Sequence, residues 1–258
     1  MTPQQARDLK AKKLKDQKKM VVHQKISNNF IQSEIFELNK NALKTVFYLS
    51  TVLKDFNFDK KLDTIRLDLR QMFKHTGLTA KIVRDNLIAM QKTSITFVTK
   101  DKDDDISIEE FIVLIPRIEI FYGKNEVEID LYSKIAKLIL EVKENYTTIN
   151  IKTLMDLKNK HSLRLLPFLN QLSNYSENVA KRKKCDLQFL NGMFGTKYRS
   201  FYDIERYILK PVKEELDNNS SLTFAYQLNT EKIGKGRPPV TSITIDVVQK
   251  NSYQGSLL

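Results

Sequence analysis

The stretch TKDKDDDISIEEF, residues 99–111, is the part of this sequence whose residue types most resemble a metal-binding loop. An EF-hand calcium loop needs oxygen ligands at alternating positions, a glycine at position 6 and a bidentate glutamate at position 12. Counted from Asp101, the first three ligands are aspartates, but position 6 is Ile106 and position 12 is Ile112. The frame that starts at Asp103 fails at the same two positions. We therefore expect no calcium site and interpret the aspartates as a solvated turn.

The rest of the sequence lacks the residue patterns of common enzymes and metal sites. Its three histidines, His23, His75 and His161, are widely separated and show no paired metal-ligand spacing. The glycines form no phosphate-binding GxxxxGK[ST] motif, and GKG at residues 234–236 is interpreted as a flexible loop. The single Cys185 permits neither an internal disulfide nor a cysteine-based zinc site. No catalytic residue, no metal and no cofactor is expected.

Length and hydropathy limit the compartment and the number of domains. The longest uninterrupted apolar run, residues 111–115, is far too short to span a membrane. The N-terminus is basic but has no apolar signal core. These features, with only one cysteine, predict a cytoplasmic protein. A chain of 258 residues is long enough for two small domains.

The net charge of +12 is unevenly distributed along the chain. Residues 1–24 carry seven Lys/Arg against two acidic residues, residues 25–150 carry 19 of each, and residues 151–258 carry 17 against 10. The basic excess therefore lies in the N-terminal tail and the C-terminal half. Each phosphate that a cation neutralises releases counterions, so a local excess favours a polyanionic partner. A merely soluble basic surface would give the same totals, and charge alone leaves both interpretations open.

Periodicity in the first half predicts two helices followed by a hairpin. RLDLRQMFKHTG predicts a short helix with Leu69, Met72 and Phe73 on its apolar face, ended by Gly77. Thr79 is the expected N-cap of a second helix that runs to about Lys92. The following SITFVTKDKDDDISIEEFIVLI predicts two strands separated by a polar turn. The aspartate cluster is thus expected at a hairpin tip.

The same order of elements returns in the second half. CDLQFLNGMFG predicts a short helix, YRSFYDIERYILKPVKEELDNN a longer amphipathic helix, and SLTFAYQL and VTSITIDVV two strands around the loop NTEKIGKGRPP. A further helical stretch precedes each copy, at residues 29–54 and about 159–174. Helix, turn, helix and hairpin is the order of a winged helix. The predicted fold is α+β, with two tandem winged-helix domains at residues 25–145 and 146–250 between tails 1–24 and 251–258.

The longer helix of the second half has two contrasting faces. At 100° per residue, Phe201, Ile204, Ile208 and Val212 share one apolar stripe, and the opposite side is cationic. Pro211 has no N–H and is expected to kink or divide the helix. A charged face is most often only solvated. Here the helix holds the recognition position of a helix-turn-helix and precedes a basic loop, which favours DNA binding.

The candidate DNA-binding residues come from the exposed faces of the second helix in each domain, the turn before the longer helix, and the second wing. They are Lys81, Arg84, Lys92, Lys197, Arg199, Tyr202, Arg206, Lys210, Lys213, Lys232, Lys235 and Arg237. A basic wing can lie along a phosphate backbone or in a minor groove, although basic hairpin tips are common without such a role. The KRKK run at residues 181–184 is a weaker candidate. The four aspartates of the first wing would repel phosphate.

Two groups of segments resemble the initiator Rep proteins of iteron-bearing plasmids. KHSLRLLPFLNQL, CDLQFLNGMFG, YRSFYDIERYILKPVKEELDNNSSLTFAYQL and GRPPVTSITIDV are similar to the C-terminal winged helix of that family. ISNNFIQSEIFELNKNALKTVFYLSTVL and LTAKIVRDNLIAMQKTSITFV are similar to its first winged helix. The likeness covers roughly residues 25–248. The acidic first wing and the long Lys-rich tail depart from the family pattern.

The resemblance carries specific implications for function. It implies that a monomer binds directly repeated double-stranded DNA at a plasmid origin, and that a dimer can repress its own promoter. It further implies that the helix around residues 199–213 reads the major groove. It also implies contacts with the initiator and the replicative helicase of a bacterial host.

Two other classes of function remain open on the residues alone. One is a winged-helix transcriptional regulator without a replication role, and the other is an interaction scaffold whose basic tail binds RNA or a membrane. A footprint on repeated sites near the protein's own origin would separate the initiator from the regulator. Absence of salt-dependent duplex binding would favour the scaffold.

Overall fold

The first half of the chain alternates short helices with antiparallel strands. The computed structural model describes residues 23–28, 31, 38–53, 56–100, 107–140, 146–175, 181–232 and 238–250. In chain order, the elements of the first half are β1 (His23–Ser27), α1 (Lys40–Val52), β2 (Leu62–Asp68), α2 (Leu69–Thr76), α3 (Ala80–Gln91), β3 (Ser94–Lys100), β4 (Ser107–Val113), β5 (Arg117–Phe121), β6 (Glu126–Tyr132), α4 (Ser133–Leu140) and β7 (Tyr146–Asn150).

The second half repeats the order of helix, helix and hairpin. Its elements are α5 (Ile151–Asp156), α6 (Lys160–Ser173), β8 (Arg182–Cys185), α7 (Leu187–Phe194), α8 (Phe201–Ile204), a π-helical turn (Glu205–Leu209), α9 (Lys210–Asn219), β9 (Leu222–Thr230) and β10 (Val240–Gln249). The segments α8, π turn and α9 follow one another without a break and are called the long helix below. Helices α2 and α3 with β3–β4, and α7 and the long helix with β9–β10, are the two predicted helix-turn-helix and wing units.

Local sequence signals set the ends of the helices in both units. Gly77 and Gly195 end α2 and α7 with φ of 69° and 61°, a left-handed conformation that glycine adopts without a Cβ penalty. The Thr79 hydroxyl accepts a hydrogen bond from the backbone N–H of Ile82, as predicted for the start of α3. Helix α2 begins later than predicted, because Asp68 caps it and the residues before it belong to β2. Of the predicted apolar face, Met72 is buried, whereas the side chain of Phe73 is 51% exposed.

The predicted hairpin of the first unit is confirmed by the antiparallel pairing of β3 with β4, from Ser94 opposite Val113 to Lys100 opposite Ser107. Its tip, residues 101–106, lies outside the described residues. The aspartate turn and the absence of calcium binding therefore stay predictions. In the second unit, β10 lies between β8 and β9 in one antiparallel sheet. The hairpin β9–β10 is thus anchored to the strand that precedes α7.

One sheet of the first half was not predicted. Strand β6 pairs with both β2 and β5. The outer face of this sheet carries cross-strand ion pairs, in which Arg66 contacts Glu126 at 3.2 Å and Arg117 contacts Asp130 at 3.2 Å. These ion pairs engage acidic residues of β6 within the protein.

Helix α6 joins the two halves. Ten of its fourteen residues are buried, and it packs against α1 and β7 on one side and α7, α9 and β9 on the other. The buried Arg164 of α6 donates hydrogen bonds to the carbonyl oxygens of Leu38, just before α1, and Met193, in the last turn of α7, both at 3.3 Å. Burial lowers the pKa of Arg164 to about 10. Among the described residues, every helix is too short or too polar to cross a lipid bilayer.

Strand β1 pairs antiparallel with β7, so that His23 lies opposite Asn150. This pairing brings the beginning of the predicted first domain beside the beginning of the predicted second domain. The boundary between residues 145 and 146 stays a prediction.

Candidate nucleic-acid interface

A single asparagine organises the turn between α7 and the long helix. The Asn191 side-chain amide donates to the carbonyl oxygen of Tyr198 at 2.8 Å. Its carbonyl oxygen accepts from the Thr196 hydroxyl at 2.8 Å and from the Tyr198 backbone N–H at 2.9 Å. Three hydrogen bonds to one side chain restrict the backbone of the turn, which carries the candidate cations Lys197 and Arg199.

The long helix begins at an N-cap and buries the predicted stripe. The Ser200 hydroxyl accepts a hydrogen bond from the Tyr202 backbone N–H at 3.2 Å. The four residues of the predicted apolar stripe are all buried, with exposed fractions of 8% or less: Phe201, Ile204, Ile208 and Val212. The predicted core face is confirmed, and it leaves the opposite face of the helix in contact with solvent.

The structure divides the candidate cations of this helix into two groups. Lys197, Arg199 and Arg206 are exposed and form no ion pair with any residue in the described ranges. Lys210 contacts Glu205 at 3.3 Å, and Lys213 contacts Asp217 at 2.7 Å. An exposed cation without an acidic neighbour keeps its full charge available for a phosphate or a base edge.

The carboxyl group of Asp217 is held as an anion by its neighbours. Burial acts to raise its pKa, but hydrogen bonds from Lys213 and Thr223, with the nearby charge of Lys250, bring the pKa below the ordinary value. The Lys213 ammonium is therefore already paired within the protein. Among the predicted contacts of the long helix, Lys213 is the one most engaged inside the molecule.

Pro211 was predicted to kink or divide the long helix, and the structure shows how the chain accommodates it. A proline at this position offers no N–H to the carbonyl of Tyr207 four residues earlier, and its ring crowds that carbonyl. The chain forms a π turn over Glu205–Leu209, in which the backbone N–H of Lys210 donates to Glu205, five residues back. The helix continues past the proline, with a local widening at Arg206.

Two tyrosines that were not predicted as site residues lie beside Arg206. The rings of Tyr198 and Tyr207 stack with centroids 6.0 Å apart and planes 15° apart. The Arg206 guanidinium carbon lies 5.3 Å from the centroid of the Tyr207 ring, within range of a cation–π contact. No periodicity in the sequence would indicate this stack, because it joins a turn residue to a π-turn residue.

Glu205 ties the same turn to the hairpin. Its carboxylate accepts a hydrogen bond from the Tyr226 hydroxyl of β9 at 3.1 Å, in addition to the ion pair with Lys210. Burial and the hydrogen bond to Glu205 raise the pKa of Tyr226 to about 12, so the hydroxyl remains a donor at neutral pH. The π turn is thereby fixed to the strand that leads into the second wing.

The described part of the second wing is exposed at its base. Lys232 is exposed, whereas Lys235 and Arg237 lie outside the described residues. The KRKK run forms the edge strand β8, where Arg182 contacts Asp246 at 3.1 Å and Lys184 contacts Glu231 at 3.8 Å. Wing contact with DNA by Lys235 and Arg237 stays a prediction.

In the first unit, α3 places its three candidate cations on the surface. Lys81, Arg84 and Lys92 are exposed, opposite the buried Val83 and Leu87. Arg84 contacts its neighbour Asp85 at 3.3 Å, and both side chains are about half exposed, so this pair leaves the guanidinium accessible.

Two of the three histidines have packing roles. His161 lies edge-on to Phe194 with ring centroids 5.4 Å apart, and His75 stacks on Tyr48 at 6.2 Å. Burial, followed by the charges of Lys160 and Arg164, lowers the pKa of His161 to about 4. Within the described ranges, no three His, Cys, Asp or Glu side chains come together as a metal site would require.

Two family models match consecutive parts of the chain. The model described as initiator replication protein, WH1, matches residues 23–170, and the model described as initiator Rep protein, WH2, matches residues 186–247. The first alone covers more than half of the sequence. The chain belongs to the initiator Rep protein family. The family descriptions confirm the predicted pair of winged-helix domains and the resemblance on which that prediction was partly based.

Comparison with solved structures agrees with the fold of this Rep protein. A crystal structure of the Pi initiator protein in complex with iteron DNA matches with a TM-score of 0.63. The match covers 89% of this chain and 98% of that chain, at 13% sequence identity. No curated protein sequence matches this Rep protein. At such low identity the structural likeness establishes the fold, and the site residues rest on the geometry described above.

Proposed function

We propose that this protein initiates replication of a plasmid by binding directly repeated duplex DNA sites, iterons, at the plasmid origin. The observation that carries the proposal is the solvent-exposed cationic face of the long helix, at the recognition position of a helix-turn-helix in a Rep family member. The matched Pi initiator is itself bound to iteron DNA, which supports the same class of ligand here.

In the proposed complex, the long helix enters the major groove with its N-terminal half deepest. Arg206 contacts a guanine edge, because a guanidinium can donate two hydrogen bonds to the O6 and N7 acceptors of guanine. Lys197, Arg199 and Tyr202 lie at the start of the helix, where phosphate contacts would fix its register. Lys210 and Lys213 add positive charge along the flank, reduced by their acidic neighbours.

The remaining candidates contribute through the DNA backbone. The second wing, with Lys232, Lys235 and Arg237, follows the phosphates or an adjacent minor groove. In the first domain, α3 presents Lys81, Arg84 and Lys92 to a second stretch of the same duplex. We also propose that the domains divide near residue 145, that the protein acts by binding and not by catalysis, and that it works in the bacterial cytoplasm.

Oligomeric state is part of the proposal. A monomer is the form that fits a directly repeated site, because identical repeats in the same orientation require no two-fold axis in the protein. A dimer that represses the protein's own promoter, and contacts with the host initiator and replicative helicase, follow from the resemblance to the family.

A footprint with the DNA that flanks the protein's own gene tests the proposed function. We expect protection of several direct repeats with a constant spacing, and loss of plasmid maintenance when those repeats are scrambled. Protection of a single inverted repeat at a promoter, with normal plasmid maintenance, would instead support a transcriptional regulator. Absence of salt-dependent duplex binding would contradict both.

A further inference from the structure

We propose that Tyr207 is a positioning residue that sets the sequence preference of the protein by holding the Arg206 guanidinium in a fixed orientation. The proposal rests on the proposed function, because it concerns how the long helix reads duplex DNA. It assigns a role to an exposed aromatic side chain that the candidate contacts do not include.

The ring of Tyr207 has both a tyrosine and an arginine as neighbours. Tyr207 is 51% exposed and lies outside the buried stripe of the long helix. Its ring lies nearly parallel to that of Tyr198, and the Arg206 guanidinium lies within cation–π range of it. Planar guanidinium groups stack well on aromatic rings, and stacking restricts the rotamers of a long, flexible side chain.

The partners of the stack are themselves fixed. Tyr198 is held at both its N–H and its carbonyl oxygen by Asn191, so its ring has a defined place beside the helix. On the other side, the π turn that carries Arg206 and Tyr207 is anchored through Glu205 to Tyr226 and Lys210. A chain of contacts therefore runs from α7 through the turn to the guanidinium.

A contact with a guanine edge depends on the orientation of the guanidinium more than a contact with a phosphate does. A bidentate contact with a guanine edge requires the guanidinium plane to match the base plane, whereas a phosphate accepts a cation from many directions. Ordering the side chain before binding lowers the entropy lost in the specific complex. Loss of the Tyr207 ring should therefore weaken specific binding and leave non-specific binding nearly unchanged.

Full-length protein and two probes test this inference: a duplex that the wild type selects from a random-sequence pool, and a shuffled duplex of the same composition. Tyr207→Leu keeps an apolar side chain but removes the ring, and Tyr207→Phe keeps the ring. Tyr175→Leu, at an exposed tyrosine after α6, is the matched control. We expect Tyr207→Leu to bind the selected duplex about tenfold more weakly, with its affinity for the shuffled duplex and its salt dependence unchanged. Tyr207→Phe and Tyr175→Leu should match the wild type on both probes.

A second measurement needs no DNA. Relaxation of the Arg206 Nε–Hε group in the free protein should show greater disorder in Tyr207→Leu than in the wild type or Tyr207→Phe. A Tyr207→Leu protein that retains full preference for the selected duplex, or that loses affinity equally on both probes, would overturn the inference alone. A wild type that selects no sequence from the pool would overturn the proposed function and this inference with it.

Discussion

Arg206 is the side chain that the proposed complex places at a base edge. It is exposed, forms no ion pair with a described residue, and lies within cation–π range of the Tyr207 ring. If it contacts a base edge, Arg206→Ala should cost roughly 1–3 kcal/mol on the specific duplex and relax the preference at one base pair. Competition binding with a panel of single-base variants of the specific site measures both effects.

Lys137→Ala is the control for this change, because Lys137 is an exposed cation on α4, a helix that carries none of the candidate contacts. Lys137→Ala should leave the base preference of the protein unchanged. Equal weakening on all sequences by Arg206→Ala, with a salt slope lower by about one unit, would instead identify a phosphate contact. Unchanged binding by Arg206→Ala would remove the long helix as the reader.

The lowered pKa of His161 predicts that the stability of the folded protein depends on pH, independently of DNA binding. Its pKa is about 4 in the folded protein and near 6.5 in an unfolded chain, so between these values the unfolded state binds more protons. Stability should therefore fall as the pH drops from 7 to 5, with a contribution from this group of about 1–2 kcal/mol after allowance for solvent screening. Urea denaturation at the two pH values measures the loss.

His161→Leu provides the comparison, because leucine can occupy the space beside Phe194 but does not titrate. The difference in unfolding free energy between the wild type and this variant should change with pH in the stated window and be constant above pH 7.5. A difference that stays constant from pH 7 to pH 5 would show that the folded-state pKa of His161 is close to normal.

At the scale of elements, residues with a single strong local signal were predictable. Gly77 and Thr79 mark the two ends of the turn between α2 and α3. Few residues other than glycine adopt the left-handed conformation that ends a helix, and only a few side chains, threonine among them, cap the start of one. Strands β5 and β6 were missed although RIEIF and EVEIDLY alternate apolar and polar residues, since the helix-turn-helix and wing pattern accounts only for the segments before them.

The π turn and the tyrosine stack could not have been predicted in the same way. Pro211 signals a disturbance in the helix but does not specify whether the chain bends, breaks or widens. The stack of Tyr198 on Tyr207 depends on the path of the intervening turn, which Asn191 determines through tertiary hydrogen bonds. Candidate cations were identifiable from helical spacing, whereas the aromatic side chains beside Arg206 were not.

The substitution Gly77→Ala tests the left-handed conformation that ends α2. No atom lies within 4 Å of where a Cβ would stand, so Gly77→Ala would meet no steric clash with neighbouring groups. Its φ of 69° nevertheless disfavours alanine, and we expect a loss of about 1 kcal/mol in unfolding free energy.

Gly123 is the matched control for that change. A Cβ added at Gly123 would also have nothing within 4 Å, and the φ of this glycine is not positive. Gly123→Ala should therefore be neutral or slightly stabilising by thermal or urea denaturation. Equal losses for the two glycines would mean that something other than the left-handed backbone sets the cost.

At the scale of the whole molecule, Arg164 connects the two halves through α6. Arg164→Met preserves the apolar stem but removes the donors to the carbonyl oxygens of Leu38 and Met193. We expect a loss of roughly 1–3 kcal/mol, because hydrogen bonds from a buried cation are lost on both sides of the helix. The urea midpoint of the full-length protein measures this loss.

Lys160→Met removes a charge from the exposed start of the same helix and should leave the midpoint nearly unchanged. Hydrogen exchange adds a spatial test, since faster exchange in Arg164→Met should extend into both α1 and α7. Faster exchange confined to one half would show that Arg164 stabilises that half alone.

The pairing of β1 with β7 bears on the synthesis of the chain. His23 lies opposite Asn150, which follows it by 127 residues in the chain. At typical translation rates of about 5–20 residues per second, β1 is synthesised roughly 6–25 seconds before its partner strand. Throughout that interval β1 has an unpaired edge that another nascent chain could occupy. Closure of the N-terminal sheet is therefore a late event in biogenesis, and ribosome-bound chains that stop before residue 146 should remain sensitive to proteolysis near residue 23.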